Sequence, residues 1–236
     1  MKAIILAGGA GTRLRPITYE IPKPLMPVHG RPLLEHIFDL LKKYSITDVL
    51  LSVGYLRERM MDYLDDGRHF GMHISYIVEK KPLGTAGPLK LARSEGKLPD
   101  STFIVSNGDE LKDINLSQMA KFHKENKALV TIALTRVDNP TLYGVADLRG
   151  DKIVKFVEKP SAKDAPSMFI NSGLYMVEPK IIDFIPGGFS MLETDVFPHI
   201  ARLGKLYGYK FRGQWFDTGS MDRYDAALKK WKGIKR

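Results

Sequence analysis

The 236 residues carry 36 Lys and Arg against 27 Asp and Glu, a net charge of +9, with 44% hydrophobic and 27% charged residues and no cysteine. That is the composition of an ordinary globular chain. It excludes disulfides, thiolate nucleophiles and cysteine zinc sites, and no run approaches the roughly 18 apolar residues of a membrane span. Any metal must then be held by oxygen or imidazole, which favours a hard cation such as Mg²⁺.

The chain opens with KAIILA (2–7), a short apolar run that reads as a buried strand. The preceding Met and the glycines that follow do not make a signal peptide, so a cytoplasmic location is expected. Residues 33–44 place Leu34, Ile37, Phe38 and Leu41 on one helical face. DVLLSV (48–53) predicts the next strand, 57–65 a helix and HISYIV (73–78) a third strand. Ala86–Arg93 is expected to be helical and TFIVS (102–106) to be a strand. Asn115 or Ser117 suits the cap of a helix reaching Glu125, with ALVTIAL (128–134) as a fifth strand. This alternation predicts an α/β fold with a Rossmann-like, mixed but mainly parallel sheet flanked by helices.

The pattern then shifts. YGVADLRGDKIVKFVEKP predicts a hairpin turning at Gly150, the start of a smaller antiparallel lobe. FINSGLYMV (169–177) follows as a strand, then helices near 179–184 and 194–203. The last helix, Ser220 to Trp231, carries Met221, Tyr224, Leu228 and Trp231 as a core-facing stripe. Lys229, Lys230, Lys232, Lys235 and Arg236 read as a frayed basic tail. No repeat or linker divides the chain, so one domain of two lobes over 1–236 is expected.

Chemistry concentrates after the first strand, in Gly8-Gly9-Ala10-Gly11-Thr12-Arg13. A loop at the carboxyl end of a parallel strand is where open α/β sheets bind ligands. Three glycines in four residues let backbone N–H groups approach an anion, and Arg13 adds a forked cation suited to phosphate. Lys23 stands between Pro22 and Pro24, which stiffen the backbone that aims it. The dinucleotide fingerprint fails because Leu14 occupies its third glycine, and the Walker Gly-Lys-Ser/Thr is missing. Asp109, in Asn107-Gly108-Asp109, follows a strand at the same expected sheet edge, and Asp217 precedes the last helix. Two such carboxylates suit a metal that neutralises phosphate charge. Asp217 also suits a helix cap, as do Thr218 and Ser220, and Glu110 and Asp113 read as a solvated acidic turn. No Gly-x-Ser-x-Gly elbow is present, and the six histidines are scattered enough to be read as structural.

The segment Ile5 to Pro27 resembles the signature of the sugar-1-phosphate nucleotidylyltransferases. PLGTAGPL (82–89), YGV (143–145), FVEKP (156–160), INSGLY (170–175), DVFP (195–198) and GQWFDTG (213–219) extend the likeness along the chain. Within that family these motifs look most like those of mannose-1-phosphate guanylyltransferases. The resemblance implies the nucleotide-diphospho-sugar transferase fold, with no C-terminal β-helix in this chain. It implies catalytic roles for Arg13, Lys23 and Asp109, and Mg²⁺ on Asp109 and Asp217. It implies nucleotide contacts at Leu6, Ala7, Gly8, Gly9, Gly11, Thr12, Arg13, Lys23, Gly84, Thr85, Ala86 and Gly108, with Gly87 closing the loop that wraps the base. Gly144, Glu158, Lys159 and Asn171 would hold the sugar phosphate, Glu158 at hydroxyls and Lys159 at the phosphate.

The implied reaction joins a nucleoside triphosphate, GTP first, to a sugar-1-phosphate, mannose-1-phosphate first. Glucose-1-phosphate with dTTP or UTP is an open alternative. So is heptose-1-phosphate with GTP, because FS-x-x-E-x-DVFP (189–198) also suits heptose-type relatives. A non-catalytic nucleotide-sugar sensor is the alternative from another class. The positive charge fits polyphosphate substrates, and without a recognisable nucleic-acid module neither nucleic acid nor membrane is expected as a partner. Homo-oligomerisation is left open.

Overall fold

The computed structural model describes residues 1–234. Lys235 and Arg236, part of the expected basic tail, lie outside the described residues. In chain order come β1 (Ala3–Ala7), β2 (Pro27–Val28), β3 (Arg31–Pro32), α1 (Leu33–Lys43), β4 (Asp48–Val53), α2 (Arg57–Leu64) and β5 (His73–Val78). Next are α3 (Gly87–Ser94), β6 (Phe103–Asn107), β7 (Glu110–Lys112), α4 (Leu116–Glu125), β8 (Val130–Arg136), β9 (Gly144–Arg149) and β10 (Lys152–Glu158). The chain continues through β11 (Phe169–Val177), α5 (Phe197–Arg202), β12 (Leu206–Lys210), β13 (Trp215–Asp217) and α6 (Met221–Lys230). Two compact units result. The first takes Met1–Pro82, Ser106–Ile114 and the chain from Gly213 onward, the second Leu83–Val105 and Asn115–Arg212.

In the first unit β5, β4 and β1 lie side by side and parallel, with Ala3 opposite Val49 and Asp48 opposite His73. Parallel strands covered on both faces read as near-continuous apolar runs, as AIILA and DVLLSV do. Helix α1 buries Leu33, Leu34, Ile37, Phe38, Leu40 and Leu41, and ends with Lys42 and Lys43 at its negative pole. A second core joins Leu14, Met26, Val28, Leu33 and Leu111 to Tyr224, Ala227 and Trp231. Leu14 and Leu111 are each 1% exposed, which is worth roughly 1.5–3 kcal/mol per side chain. They anchor the end of the glycine loop and the acidic turn to one packed body.

Two expectations change here. Met221 is exposed, and Ala227 takes its place in the stripe with Tyr224 and Trp231. The described part of the tail is pinned rather than frayed: Lys229 and Lys230 complete α6, Lys232 N–H donates to Gln214 Oε1 at 2.9 Å, and Ile234 packs on the core.

The second unit orders its strands β11, β8, β12, β10, β9. Only β8 and β12 are parallel among these neighbours. Gly150, at φ 64°, makes the β9–β10 turn where it was expected. Against β8, β11 slips register between Asn171 and Tyr175. A bulge bends its strand and increases the local twist, and this one lies between Asn171 and Tyr175. The Asn115 side chain caps α4 by accepting from Gln118 N–H at 2.9 Å. The helix expected near 179–184 is a 3₁₀ segment, and that near 194–203 is a π-helical turn over Leu192–Val196 followed by α5. No helix among the described residues is long and apolar enough to cross a membrane.

Candidate active site

The glycine loop leaves the carboxyl end of β1, and each glycine has its own reason. A β-carbon on Gly8 would collide with the Glu79 carboxylate, which is buried and accepts from the Ser52 hydroxyl at 2.6 Å. Gly11 lies at φ 58°, a conformation that costs other residues energy. Thr18 fastens the loop by donating its hydroxyl to the Gly11 carbonyl at 2.9 Å. Around Gly9 nothing of the protein lies within 4 Å of where a side chain would start. That backbone is therefore open to a ligand.

Lys23 begins a 3₁₀ turn between its two prolines and is 7% exposed. Its ammonium forms an ion pair with Asp109 Oδ2. Burial alone would raise the Asp109 carboxyl, but the charge and hydrogen bond of Lys23, with Lys112 and Arg13 behind, hold it below the usual carboxylate range. Gly108 places Asp109. Its N–H donates to the Leu6 carbonyl at 2.9 Å, and a β-carbon there would lie 3.0 Å from that oxygen.

Asp217 ends β13, which pairs with β7 so that Asp217 stands opposite Glu110. Its Oδ1 accepts from Gly219 N–H at 2.6 Å, and its Oδ2 meets the Arg223 guanidinium. A β-carbon on Gly219 would sit 3.1 Å from Arg13 Nη2 and 3.4 Å from Arg223 Nη2. Two arginines thus converge on the Asp-Thr-Gly turn. Ser220 stands at the N-cap of α6, but no side chain makes a capping bond there: Thr218 donates to the Asp109 carbonyl at 2.7 Å, and Ser220 Oγ accepts from Arg223 Nε at 2.9 Å.

The acidic turn is not solvated. Glu110 is buried, accepting from Asn107 Nδ2 and Trp215 Nε1, each at 2.8 Å. Burial pushes its carboxyl up, Lys112 opposes this, and Asp109 and Asp217 add to it. Lys112 is 3% exposed, and burial pushes its ammonium down. Asp113 pairs with Lys43 at 4.0 Å. Arg13, Lys23, Asp109, Asp217 and the glycine loop all belong to the first unit.

The remaining expected residues belong to the second unit. Gly84, at φ 78°, has no room for a side chain against the Ser190 carbonyl. That carbonyl also accepts from Ala86 N–H at 2.9 Å and Gly87 N–H at 3.3 Å. Ala86 and Gly87 are buried, while Gly84 and Thr85 are half-buried. Thr85 Oγ1 accepts from Leu192 N–H at 2.8 Å and donates to Glu193 Oε2 at 2.6 Å. Burial pushes the Glu193 carboxyl up, and the Thr85 hydrogen bond partly offsets this.

Gly144 faces Glu158 across the β9–β10 ladder, and a side chain on it would strike the Phe156 ring and the Glu158 carboxylate. Its bareness makes room for Glu158. Lys159, at φ 45°, is an exposed non-glycine residue in the left-handed region, with its ammonium 3.2 Å from Glu158 Oε1. Asn171 Oδ1 accepts from Gly173 N–H at 2.9 Å.

Residues 2–232 match the family described as nucleotidyl transferase. The chain belongs to that family. A relative named mannose-1-phosphate guanyltransferase 2, from Candida glabrata, is 41% identical over 223 residues, covering 93% of this chain and 61% of its own length. The chain thus spans about 61% of the length of that relative. A solved chain from Bacillus anthracis, provisionally assigned as a glucose-1-phosphate thymidylyltransferase and in complex with a sucrose, superposes with TM-score 0.90 at 29% identity, covering 100% of this chain and 97% of that one. HddC from Yersinia pseudotuberculosis complexed with GMP-PN superposes with TM-score 0.80 at 28% identity, covering 98% and 99%. These neighbours share the mixed α/β fold expected from the sequence.

The sequence gives no signal for Arg223 and only a weak one for Glu79, while Tyr175 and Glu193 stand in the family-like segments INSGLY and FS-x-x-E-x-DVFP without a role assigned to either. Arg223 lies six residues beyond Asp217, across the start of a helix, and its spacing carries no motif. Glu79 ends an apolar strand, HISYIVE, and a carboxylate after such a run is a signal for a partnered buried group.

Proposed function

We propose that this chain is a sugar-1-phosphate nucleotidylyltransferase, joining GTP to mannose-1-phosphate to give GDP-mannose and pyrophosphate. The observation that carries this is Lys23. A buried ammonium, clamped by two prolines and aimed at Asp109, stands in the same unit as an open glycine loop and Arg13. The choice of guanine and mannose rests on the motifs and on the relatives named for that reaction.

The reaction is an in-line displacement. A phosphate oxygen of the sugar-1-phosphate attacks the α-phosphorus, the bond from that phosphorus to the bridging oxygen breaks, and pyrophosphate leaves with the electron pair. The attacking phosphate is already anionic, so no general base is required. What remains for the protein is positioning and charge neutralisation. Arg13 and the amides of Gly8, Gly9, Gly11 and Thr12 hold the leaving pyrophosphate, and Leu6, Ala7 and Gly108 line the nucleotide. Lys23 neutralises the α-phosphoryl oxygens. Gly84 and Thr85, with Ala86 behind them, border the base. Gly144, Glu158, Asn171 and Lys159 take the sugar and its phosphate.

Asp109 and Asp217 fit a Mg²⁺ ion. Magnesium is held by one or two carboxylates together with substrate phosphates, and both of these carboxylates belong to the same unit as the glycine loop. Bound there, it would neutralise charge on the phosphate oxygens. With no cysteine in the chain, a cytoplasmic location accords with this reading.

The test is a grid of nucleoside triphosphates against sugar-1-phosphates, read by pyrophosphate release. GTP with mannose-1-phosphate is expected to lead, and Lys23→Ala to lose roughly 10²–10³ of that rate. Silence across the grid would sink the reading. A lead by UTP or dTTP with glucose-1-phosphate, or by GTP with a heptose-1-phosphate, would reassign the substrates.

A further inference from the structure

One chain of hydrogen bonds in the second unit, buried at its centre and half-buried at its ends, joins a residue of the nucleotide loop to a residue of the sugar side. At its centre is Glu193, in the turn Leu192–Val196, 8% exposed. Thr85 donates to its Oε2 at 2.6 Å, and the hydroxyl of Tyr175, fully buried, donates to its Oε1 at 3.2 Å. The Tyr175 oxygen in turn accepts from Asn171 Nδ2 at 2.9 Å. Every donor in the line points toward Glu193.

That polarity has consequences. Both oxygens of Glu193 accept, one from each hydroxyl, so Glu193 fixes Thr85 and Tyr175 as donors toward itself. Tyr175, its proton committed, offers Asn171 a lone pair and draws the amide nitrogen to its side. Gly173 N–H holds the amide oxygen. The second N–H of Asn171 is then the group left to meet a sugar hydroxyl, so Asn171 donates where Glu158 accepts. The same carboxylate holds Thr85, whose oxygen also takes Leu192 N–H at 2.8 Å. Buried networks of this kind hold one geometry firmly when every member is satisfied.

We propose that Glu193 is a positioning residue for both substrates, setting Thr85 directly and Asn171 through Tyr175. This rests on the reading of Thr85 and Asn171 as substrate contacts. A Gln at position 193 cannot take both hydroxyl protons, because one of its terminal atoms is itself a donor.

The experiment is steady-state kinetics with both substrates varied, on wild type, Tyr175→Phe, Glu193→Gln and the double variant, with thermal melting of each. Tyr175→Phe is expected to raise KM for the sugar-1-phosphate about 3- to 10-fold, the loss of one hydrogen bond, and to leave KM for the triphosphate within about twofold. Glu193→Gln should raise both KM values. In the Tyr175→Phe background it should still raise the triphosphate KM but add nothing to that of the sugar. Lowered melting temperatures with both KM values unchanged in an active wild type would overturn the positioning role and leave the nucleotidylyltransferase reading standing. Should Glu193→Gln not fold, an unchanged sugar KM in Tyr175→Phe decides against the proposal by itself. An inactive wild type overturns the functional reading and this inference with it.

Discussion

Thr218 donates its hydroxyl to the main-chain carbonyl of Asp109 at 2.7 Å, from a side chain with no exposure. This bond ties together the two turns that carry Asp109 and Asp217, beside the β7–β13 ladder. Thr218→Val keeps the shape and removes the donor, leaving a carbonyl unpaired at a cost of about 1–3 kcal/mol. At this chain length that lowers the melting temperature by roughly 2–4 °C per kcal/mol. The Mg²⁺ concentration for half-maximal activity should rise several-fold, while Thr218→Ser stays near wild type. A magnesium titration unchanged in Thr218→Val would show that the tether does not set Asp109.

Gly8 and Gly9 separate packing from ligand approach. Gly8→Ala drives a β-carbon into the Glu79 carboxylate, and overpacking of this kind costs about 1–3 kcal/mol. Gly9→Ala meets no protein atom within 4 Å, so its melting temperature should match wild type. Its KM for the triphosphate should nonetheless climb, because the added methyl occupies space the phosphates need. Equal KM values in Gly9→Ala and wild type would mean that phosphate does not approach this stretch of backbone.

The limits of legibility are physical. Strands β4, β5 and β11 lie at the residues expected because their apolar runs are bounded by polar or turn residues, and Asn115 caps as its type suggests. The β7–β13 pair was not legible. It spans three residues on each side, joins positions about a hundred apart in sequence, and mixes Glu110 and Lys112 with one leucine. Nothing local marks such a pair. The π-turn over Leu192–Val196 keeps a periodicity close to that of an α-helix, so its pattern reads as one. Of the candidate site, the residue types and loops were legible. The ion pairs Lys23–Asp109 and Asp217–Arg223, and the burial of Glu110 and Glu193, depend on tertiary packing that spacing does not encode.

Lys159 holds a left-handed backbone at φ 45° while its side chain is exposed. Such a conformation costs a non-glycine residue about 1–3 kcal/mol and clusters at functional sites. Its pairing with Glu158 is too exposed to offset that cost by much. Lys159→Gly should therefore melt at or slightly above the wild-type temperature, yet raise KM for the sugar-1-phosphate by tenfold or more through loss of a charged phosphate contact. A surface lysine without a phosphate to hold would show the thermal effect alone, and that outcome removes it from the site.

His36 sets a pH dependence of stability. Its ring is 6% exposed. Trp231 Nε1–H donates to its Nδ1 at 3.2 Å, so Nδ1 is an acceptor, and Nε2–H donates to the Val28 carbonyl at 3.0 Å. Both bonds are made by the neutral ring in one tautomer. Protonating Nδ1 would set two donors against each other. Burial accordingly pushes the imidazole below its ordinary value, although the Val28 bond opposes this. The folded protein thus resists a proton that the unfolded chain accepts near pH 6.5. Stability from this group is complete above that pH and is lost as pH falls through the lower folded value. His123, also buried and shifted down by desolvation, adds in the same direction. The melting temperature should hold steady from pH 8 to 7 and decline toward pH 5.5. His36→Gln should melt lower at pH 7.5 but decline less steeply, because the penalty for protonating His36 is then gone while that of His123 remains. Parallel melting curves for the two proteins across that range would show that His36 does not carry the effect.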